Sequence, residues 1–180
     1  MTTDTAALAR YLDMFPAWLR TLGEDASALG VVVQADGNEE VRRYVISGLN
    51  YIFKSLDLIP DGIDDLGFCD DAFVIRVAAA LAVEAEPSAA DGVVARLAEE
   101  ARSVEEFLGD DYARLVTYVK GLRKGAARGR TVEDIMTDTS ARSSFVHEVS
   151  AWAQEYQVPS FTRDVKTLIK LKAFLSAKLA

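Results

Sequence analysis

The sequence predicts an all-α fold: a single-domain bundle of about seven helices around a central helix–loop–helix hairpin. Three observations predict it. Apolar residues recur at spacings of three and four along most of the 180 residues, no segment shows a strand pattern, and half of the residues are hydrophobic. Folding at this length can bury roughly 70% of the unfolded chain's surface, so a core needs neither a disulfide nor a metal.

The first part of the chain is predicted to begin with a helix over 4–15. Pro16 either starts a second helix or kinks the first, because proline lacks the amide proton that a helix interior uses. The stretch 29–34 contains three consecutive valines and is ambiguous between a short extended piece and a buried turn. Turn-forming residues at 35–38 then separate it from the hairpin.

The central hairpin, about residues 40–85, is predicted from two apolar helices. The helix over 39–54 carries apolar residues at spacings of three and four after a polar start. The helix over 70–85 is apolar on most sides, which is typical of a buried element. Cys69 or Asp70 is expected to cap this second helix.

Residues 88–180 are predicted to form a helical extension packed on the hairpin. The expected helices lie at 89–107, at 110–124, from the TVED stretch at 131, at 142–157 and at 162–179. A basic hinge is expected at 125–130. The last helix combines an apolar side with basic residues, so we expect it to pack on the bundle, with peripheral contact to an anionic membrane as the alternative.

The net charge of −8 is unevenly distributed along the chain. Residues 1–119 carry nine Lys/Arg against 22 Asp/Glu, whereas residues 120–180 carry eleven against six. The acidic body argues against nonspecific nucleic-acid binding, while the basic end leaves contact with an acidic partner or a membrane surface open. The single cysteine, Cys69, excludes an internal disulfide, and the first residues lack a secretory-signal pattern, so a cytoplasmic location is expected.

Between the hairpin helices, the stretch SLDLIPDGIDDLGFCDD at 55–71 holds six aspartates and no lysine, arginine or histidine. Carboxylates crowded within ~4–6 Å raise one another's pKa and destabilise the fold unless something offsets them. Cap and turn chemistry is the favoured explanation, in which main-chain amides and solvent offset the acids and the loop shapes the bend. Lys54 and Arg76 are the expected counter-charges to the loop.

The alternative explanation is a divalent cation, Mg²⁺ or Ca²⁺, bound by the loop. Asp57, Asp61, Asp70 and Asp71 are the candidate ligands, because hard cations take several carboxylate oxygens and a loop between two helix ends can converge them. No EF-hand register fits, since the third ligand position falls on isoleucine or glycine. No other cofactor is expected.

Nine positions of the hairpin and its loop form a recognisable pattern. They are Tyr51, Asp57, Leu58, Ile59, Pro60, Asp61, Gly67, Asp70 and Asp71. This pattern resembles the signature of the YkvA-like family, small and mostly bacterial helical proteins that are grouped as a domain of unknown function. The chain departs from the family pattern at Ser55, Gly62 and Asp64. The resemblance covers a quarter of the chain and implies a shared hairpin but no particular activity.

The leading prediction for function is a non-catalytic interaction or scaffold module with an unidentified protein partner. The alternative is a divalent-metal-dependent hydrolase that uses the loop at 57–71. A hydrolase needs an open, polar cleft with convergent carboxylates, whereas a module leaves them splayed or capping. His147 is the only histidine and Cys69 has no nearby base, so no catalytic residue is predicted.

Overall fold

A long N-terminal helix and the hairpin that follows it set the frame of the molecule. The computed structural model describes residues 5–35, 37–54 and 57–180. Helix α1 spans Thr5–Gln34, α2 spans Glu39–Ile52 and α3 spans Cys69–Ala85. The predicted helix start at residue 4, part of the 35–38 turn and the departure at Ser55 lie outside the described residues.

Five further helices complete the bundle. They are α4 (Gly92–Leu108), α5 (Asp111–Gly121), α6 (Val132–Thr137), α7 (Thr139–Glu155) and α8 (Val165–Leu179). Two 3₁₀ turns, Pro87–Ala89 and Leu122–Lys124, precede α4 and follow α5. The described residues thus form eight α-helices where about seven were expected, and the all-α bundle is confirmed.

The basic stretch at 125–130 is a small β-hairpin, which corrects the expectation of a hinge without strands. Strands β1 (Ala126–Ala127) and β2 (Arg130–Thr131) pair antiparallel. Arg128 and Gly129 between them both have positive φ, as a two-residue hairpin turn requires. Thr131 then caps α6 in a capping box with Asp134, so the predicted helix start at TVED is confirmed.

Helix α1 continues through Pro16, so the expectation that a second helix starts there is wrong. The three-valine segment is also helical rather than extended. One face of α1 is buried along its whole length, from Tyr11 to Val33, mainly against α7, α2 and the centre of the bundle. Burial of that face outweighs the cost of about 3 kcal/mol for a helix-interior proline.

The core is built around α3, which is packed mainly between α2 and α4. Nearly every residue of α3 as far as Ala82 is buried, as its apolar sequence predicted. Gly48 of α2 permits the close approach of the two hairpin helices, because a Cβ there would lie 3.0 Å from the Ala78 Cβ. Phe73 of α3 joins an aromatic cluster with Phe15 and Phe107 at centroid distances of 5.1 and 6.1 Å.

Helix α8 packs back on the bundle, against α1 and α5, which confirms the favoured placement of this helix. Leu168, Leu171 and Leu175 are buried, whereas Ile169 is 62% exposed. None of the described helices is long and apolar enough to cross a membrane.

Candidate metal centre

The acidic loop connects the end of α2 to the start of α3 and is fastened to the core by apolar side chains. Leu58, Ile59 and Leu66 are buried, as expected of residues that pin the loop. Short-range turns shape its middle: the Ile63 amide donates to the Pro60 carbonyl at 3.1 Å. Pro60 itself is exposed and contributes a turn position.

Gly67 lets the loop fold tightly onto itself before α3. A Cβ at this position would lie 2.2 Å from the Asp61 carbonyl oxygen, closer than any side chain tolerates. The Gly67 amide donates to the Ile63 carbonyl at 2.9 Å. This close approach explains why a glycine stands at this motif position.

The residue before α3 is Phe68, in a left-handed conformation with φ of 65°. It is the N-cap residue and makes no side-chain cap, which corrects the expectation that Cys69 or Asp70 caps the helix. Its ring packs against Trp152 and Tyr156 of the α7 end, at centroid distances of 6.2 and 5.3 Å. Since this backbone conformation is costly for a bulky residue, the aromatic packing holds it in place.

Three of the four predicted ligands come together at this helix start. Asp70 and Asp71, in the first turn of α3, are 0% and 1% exposed, whereas Asp61 of the loop is exposed. One carboxylate oxygen from each lies within 4.8 Å of the others. Asp57 is half-buried and does not belong to this trio, although its charge acts on both Asp70 and Asp71.

Tyr51 of α2 connects the loop to the cluster. Its hydroxyl donates to Asp70 Oδ2 at 2.5 Å and accepts from the Leu58 amide at 2.7 Å. The Ile59 amide also donates to Asp70 Oδ2, at 3.2 Å. One oxygen of Asp70 is therefore held by a side chain and a main-chain amide, which fixes the orientation of the carboxylate.

The remaining oxygens of the cluster are buried without compensation. Both oxygens of Asp71, Oδ1 of Asp70 and Oδ1 of Asp57 have no hydrogen-bond partner among the described residues. Burying an ionised carboxylate without a partner costs several kcal/mol. The expectation that main-chain amides and solvent offset these acids is therefore wrong for Asp71 and only half right for Asp70.

The predicted counter-charge is wrong for Arg76, whereas Lys54 acts on one loop aspartate, Asp57. Arg76 pairs with Asp25 of α1 and Glu100 of α4, because it lies roughly 140° around the helix from Asp71 at 100° per residue. Lys54 donates to the Tyr118 hydroxyl at 3.0 Å, and its charge only lowers the pKa of Asp57. Within the described ranges, no ion pair reaches any of the four candidate ligands.

Burial and mutual repulsion raise the pKa values of these carboxyls. Burial, followed by the charge of Asp70, raises the pKa of Asp71 well above its usual value. Burial raises the pKa of Asp70 to about 6, although the Tyr51 hydrogen bond opposes it. Burial and then Asp70 raise the pKa of Asp57 to about 7. The raised pKa values mean that folding disfavours the ionised form of each of these carboxyls.

Asp65 has a role that the sequence reasoning missed. Its Oδ1 accepts from the Thr162 amide at 2.8 Å and from the Thr162 hydroxyl at 2.9 Å. Asp65 has φ of 68°, a conformation that aspartate tolerates better than most residues. It ties the loop to the connection between α7 and α8. Asp64 next to it is exposed, as expected.

The two residues considered for other chemistry lie in unreactive positions. His147 is exposed on α7, and Cys69 is 2% exposed. Burial raises the pKa of the Cys69 thiol, so the reactive thiolate is disfavoured. A cleft of about 350 Å³ beside Phe68 is lined by Trp152 and Tyr156 rather than by the acidic cluster.

Comparisons of the chain with protein-family models, with curated proteins and with solved structures find no match. The resemblance to the YkvA-like family therefore stays a prediction, carried by the motif positions.

Proposed function

We propose that this protein is a non-catalytic helical module whose acidic loop binds one divalent cation through Asp61, Asp70 and Asp71. The observation that carries the proposal is Asp71, a carboxylate 1% exposed with neither oxygen hydrogen-bonded in the described part of the chain. One of its oxygens lies within 4.8 Å of an oxygen from Asp61 and of one from Asp70, close enough to share an ion. Such oxygen-only donor sets suit hard divalent cations.

The ion would fasten the loop to the start of α3. Asp61 belongs to the loop and Asp70 and Asp71 to the helix, so a shared ion links two parts of the hairpin that repel each other without it. Tyr51 orients Asp70 from the side away from the unpartnered oxygen. Asp57 lies outside this trio, although one of its oxygens is also buried without a hydrogen-bond partner among the described residues.

Mg²⁺ and Ca²⁺ are both compatible with this donor set. Ca²⁺ takes six to eight oxygens and Mg²⁺ takes six, usually several of them from water. Three carboxylates supply part of either coordination shell, and the exposed Asp61 gives the ion and its waters a route from solvent.

Burial of the cluster supports the non-catalytic assignment. A hydrolytic site needs room beside the ion for a substrate. Asp70 and Asp71 are instead enclosed, and the neighbouring cleft has aromatic walls. We therefore place the ion in a structural role within an interaction or scaffold module, and the single buried thiol supports a cytoplasmic location.

Thermal unfolding of the full chain tests the proposal. Protein dialysed against EDTA at pH 7.5 is melted alone and with 5 mM Mg²⁺, Ca²⁺ or Mn²⁺. At a hundredfold excess over Kd, binding adds about 2.7 kcal/mol, which raises Tm by roughly 5–10 °C for a chain of this length. Asp71→Asn should abolish this increase.

The matched control is Asp64→Asn, which removes the same charge from an exposed position of the same loop. It should keep the full cation response. The proposal fails if no ion changes the Tm of the wild-type chain, since protons would then be sufficient to neutralise the cluster. It fails equally if Asp71→Asn responds like wild type.

A further inference from the structure

A second charged site lies where α2, α5 and α6 meet, away from the acidic loop. A cleft of about 730 Å³ opens there. Four cations line it: Arg43, Lys120, Arg123 and Lys124. This cluster of positive charge contrasts with the net charge of −8 of the whole chain.

The two arginines are held in place by the protein itself. Arg43 donates from Nε to Glu133 at 2.6 Å and from Nη1 to Glu40 at 2.5 Å. Arg123 donates from Nη2 to the same Glu40 oxygen at 3.0 Å, and its guanidinium lies 5.1 Å from the ring centroid of Tyr44. The positive wall is therefore ordered before a ligand binds, which reduces the entropy cost of binding.

The two lysines are different. Lys120 at the end of α5 and Lys124 in the following 3₁₀ turn are exposed, and neither forms an ion pair or hydrogen bond within the described residues. Four cations against Glu40 and Glu133 leave a surplus of two positive charges. A phosphate monoester carries about −1.5 to −2 charges at neutral pH, which matches that surplus.

We propose that this cleft binds a soluble, phosphate-bearing small molecule, with the phosphate held by Lys120, Lys124 and Arg123. The volume lies within the roughly 300–1,000 Å³ of small-molecule sites. The Tyr44 and Thr131 hydroxyls in the lining are additional hydrogen-bonding groups. This site is independent of the cation at the acidic loop.

The charge of the remaining surface favours a small ligand over an extended one. A nucleic acid or an anionic bilayer would extend beyond the cleft and meet the acidic body of the protein, which carries the excess of Asp and Glu over residues 1–119. A compact dianion meets only the four cations. The test must therefore distinguish binding of free phosphate from binding to an anionic membrane.

The experiment is an NMR titration of the ¹⁵N-labelled full chain with inorganic phosphate, in EDTA at pH 7.5 and constant ionic strength. We expect saturable shifts in the amides around 120–124 and 131–133. Lys120→Gln with Lys124→Gln should weaken phosphate binding about tenfold or more, the loss of roughly 1.4 kcal/mol or more in charged hydrogen bonds. Because both lysines lack intramolecular partners, the fold should not change.

The matched control is Lys166→Gln with Lys170→Gln, two exposed lysines at the same spacing on α8. It removes the same charge and should leave phosphate affinity within about twofold of wild type. Shifts that increase linearly without saturation, or equal losses in both double variants, would overturn the proposal. Binding to vesicles with phosphorylated anionic headgroups, without binding to free phosphate, would also overturn it. EDTA keeps these outcomes separate from the cation proposal.

Discussion

Helix α3 carries two buried charged centres within seven residues, and they differ in how their charge is balanced. Arg76 is fully buried and lies near two carboxylates, with Asp25 at 3.7 Å and Glu100 at 3.5 Å. Arg96 also contacts both of these acids, so two cations face two anions. About one and a half turns earlier in α3, the acids of the loop cluster have no cation paired with them among the residues that the structure describes.

The fold supplies partners for the charge of Arg76, but the described residues supply no counter-ion for the acidic cluster. At the arginine centre, the Trp18 ring lies 4.0 Å from the guanidinium and the Ala72 carbonyl accepts from Nη1 at 2.9 Å. Burial lowers the pKa of Arg76 to about 10, with Glu100 and Asp25 opposing, so the residue stays charged near neutral pH. The chain supplies counter-charges to this centre, whereas no ion pair reaches the acidic cluster within the described residues.

The largest expected effect comes from breaking the balanced centre. Arg76→Ala removes a cation that is fully buried and leaves Asp25 buried with one counter-charge fewer, which should lower the free energy of unfolding by about 3–5 kcal/mol. Urea denaturation followed by circular dichroism measures it. Arg102→Ala, on an exposed ion pair of α4, is the control and should cost less than about 1 kcal/mol. Equal midpoints for the two variants would contradict the assignment.

The next effect concerns the backbone of the acidic loop, because the tight turn at Gly67 positions Asp61 in the cluster. Gly67→Ala places a Cβ 2.2 Å from the Asp61 carbonyl oxygen, so the loop must shift and move Asp61 away from the cluster. We expect a loss of about 1–3 kcal/mol in unfolding free energy and a weaker Tm response to divalent cations.

Gly62→Ala is the control for this substitution, because nothing lies within 4 Å of a Cβ there. It should leave both the stability and the cation response close to wild type. If the two alanine variants behave alike, tight closure at Gly67 does not position Asp61.

The sequence predicts those features of the structure that are determined by residues near one another in the chain. The hairpin, the apolar α3 and the gathering of Asp61, Asp70 and Asp71 follow from periodicity and from a loop that joins two helix ends. The partners of Arg76 could not be found this way, because Asp25 and Glu100 come from helices 51 and 24 residues away and only packing brings them near.

The same reasoning explains the other differences. The sequence alone allows a second helix to start at Pro16, but burial of one face of α1 outweighs the lost hydrogen bond and the helix continues. Asp65 reads as a solvent-facing loop residue, and only the fold reveals Thr162 as its partner. The N-cap at Phe68 breaks the usual preference for small polar residues because aromatic packing stabilises it.

The smallest expected effect is a pH dependence that only the acidic centre should produce. The pKa values of Asp70, Asp71 and Asp57 are raised in the folded protein above the unfolded value of about 3.9. The folded state therefore binds more protons than the unfolded state, and stability must fall as pH rises through these pKa values. In EDTA, we expect a loss of about 1–2 kcal/mol between pH 5 and pH 7.5, with Asp57 contributing less because solvent screens it.

Urea denaturation at both pH values, in 0.3 M salt to screen surface charges, measures this loss. A saturating divalent cation should reduce it, because the ion stabilises the ionised carboxylates that folding otherwise disfavours. Asp71→Asn should also flatten the pH dependence, whereas Asp64→Asn should retain it. The arginine centre should contribute nothing here, since Arg76 does not titrate in this range. Stability that increases with pH in EDTA would mean that the loop aspartates are already compensated by the chain, as Arg76 is.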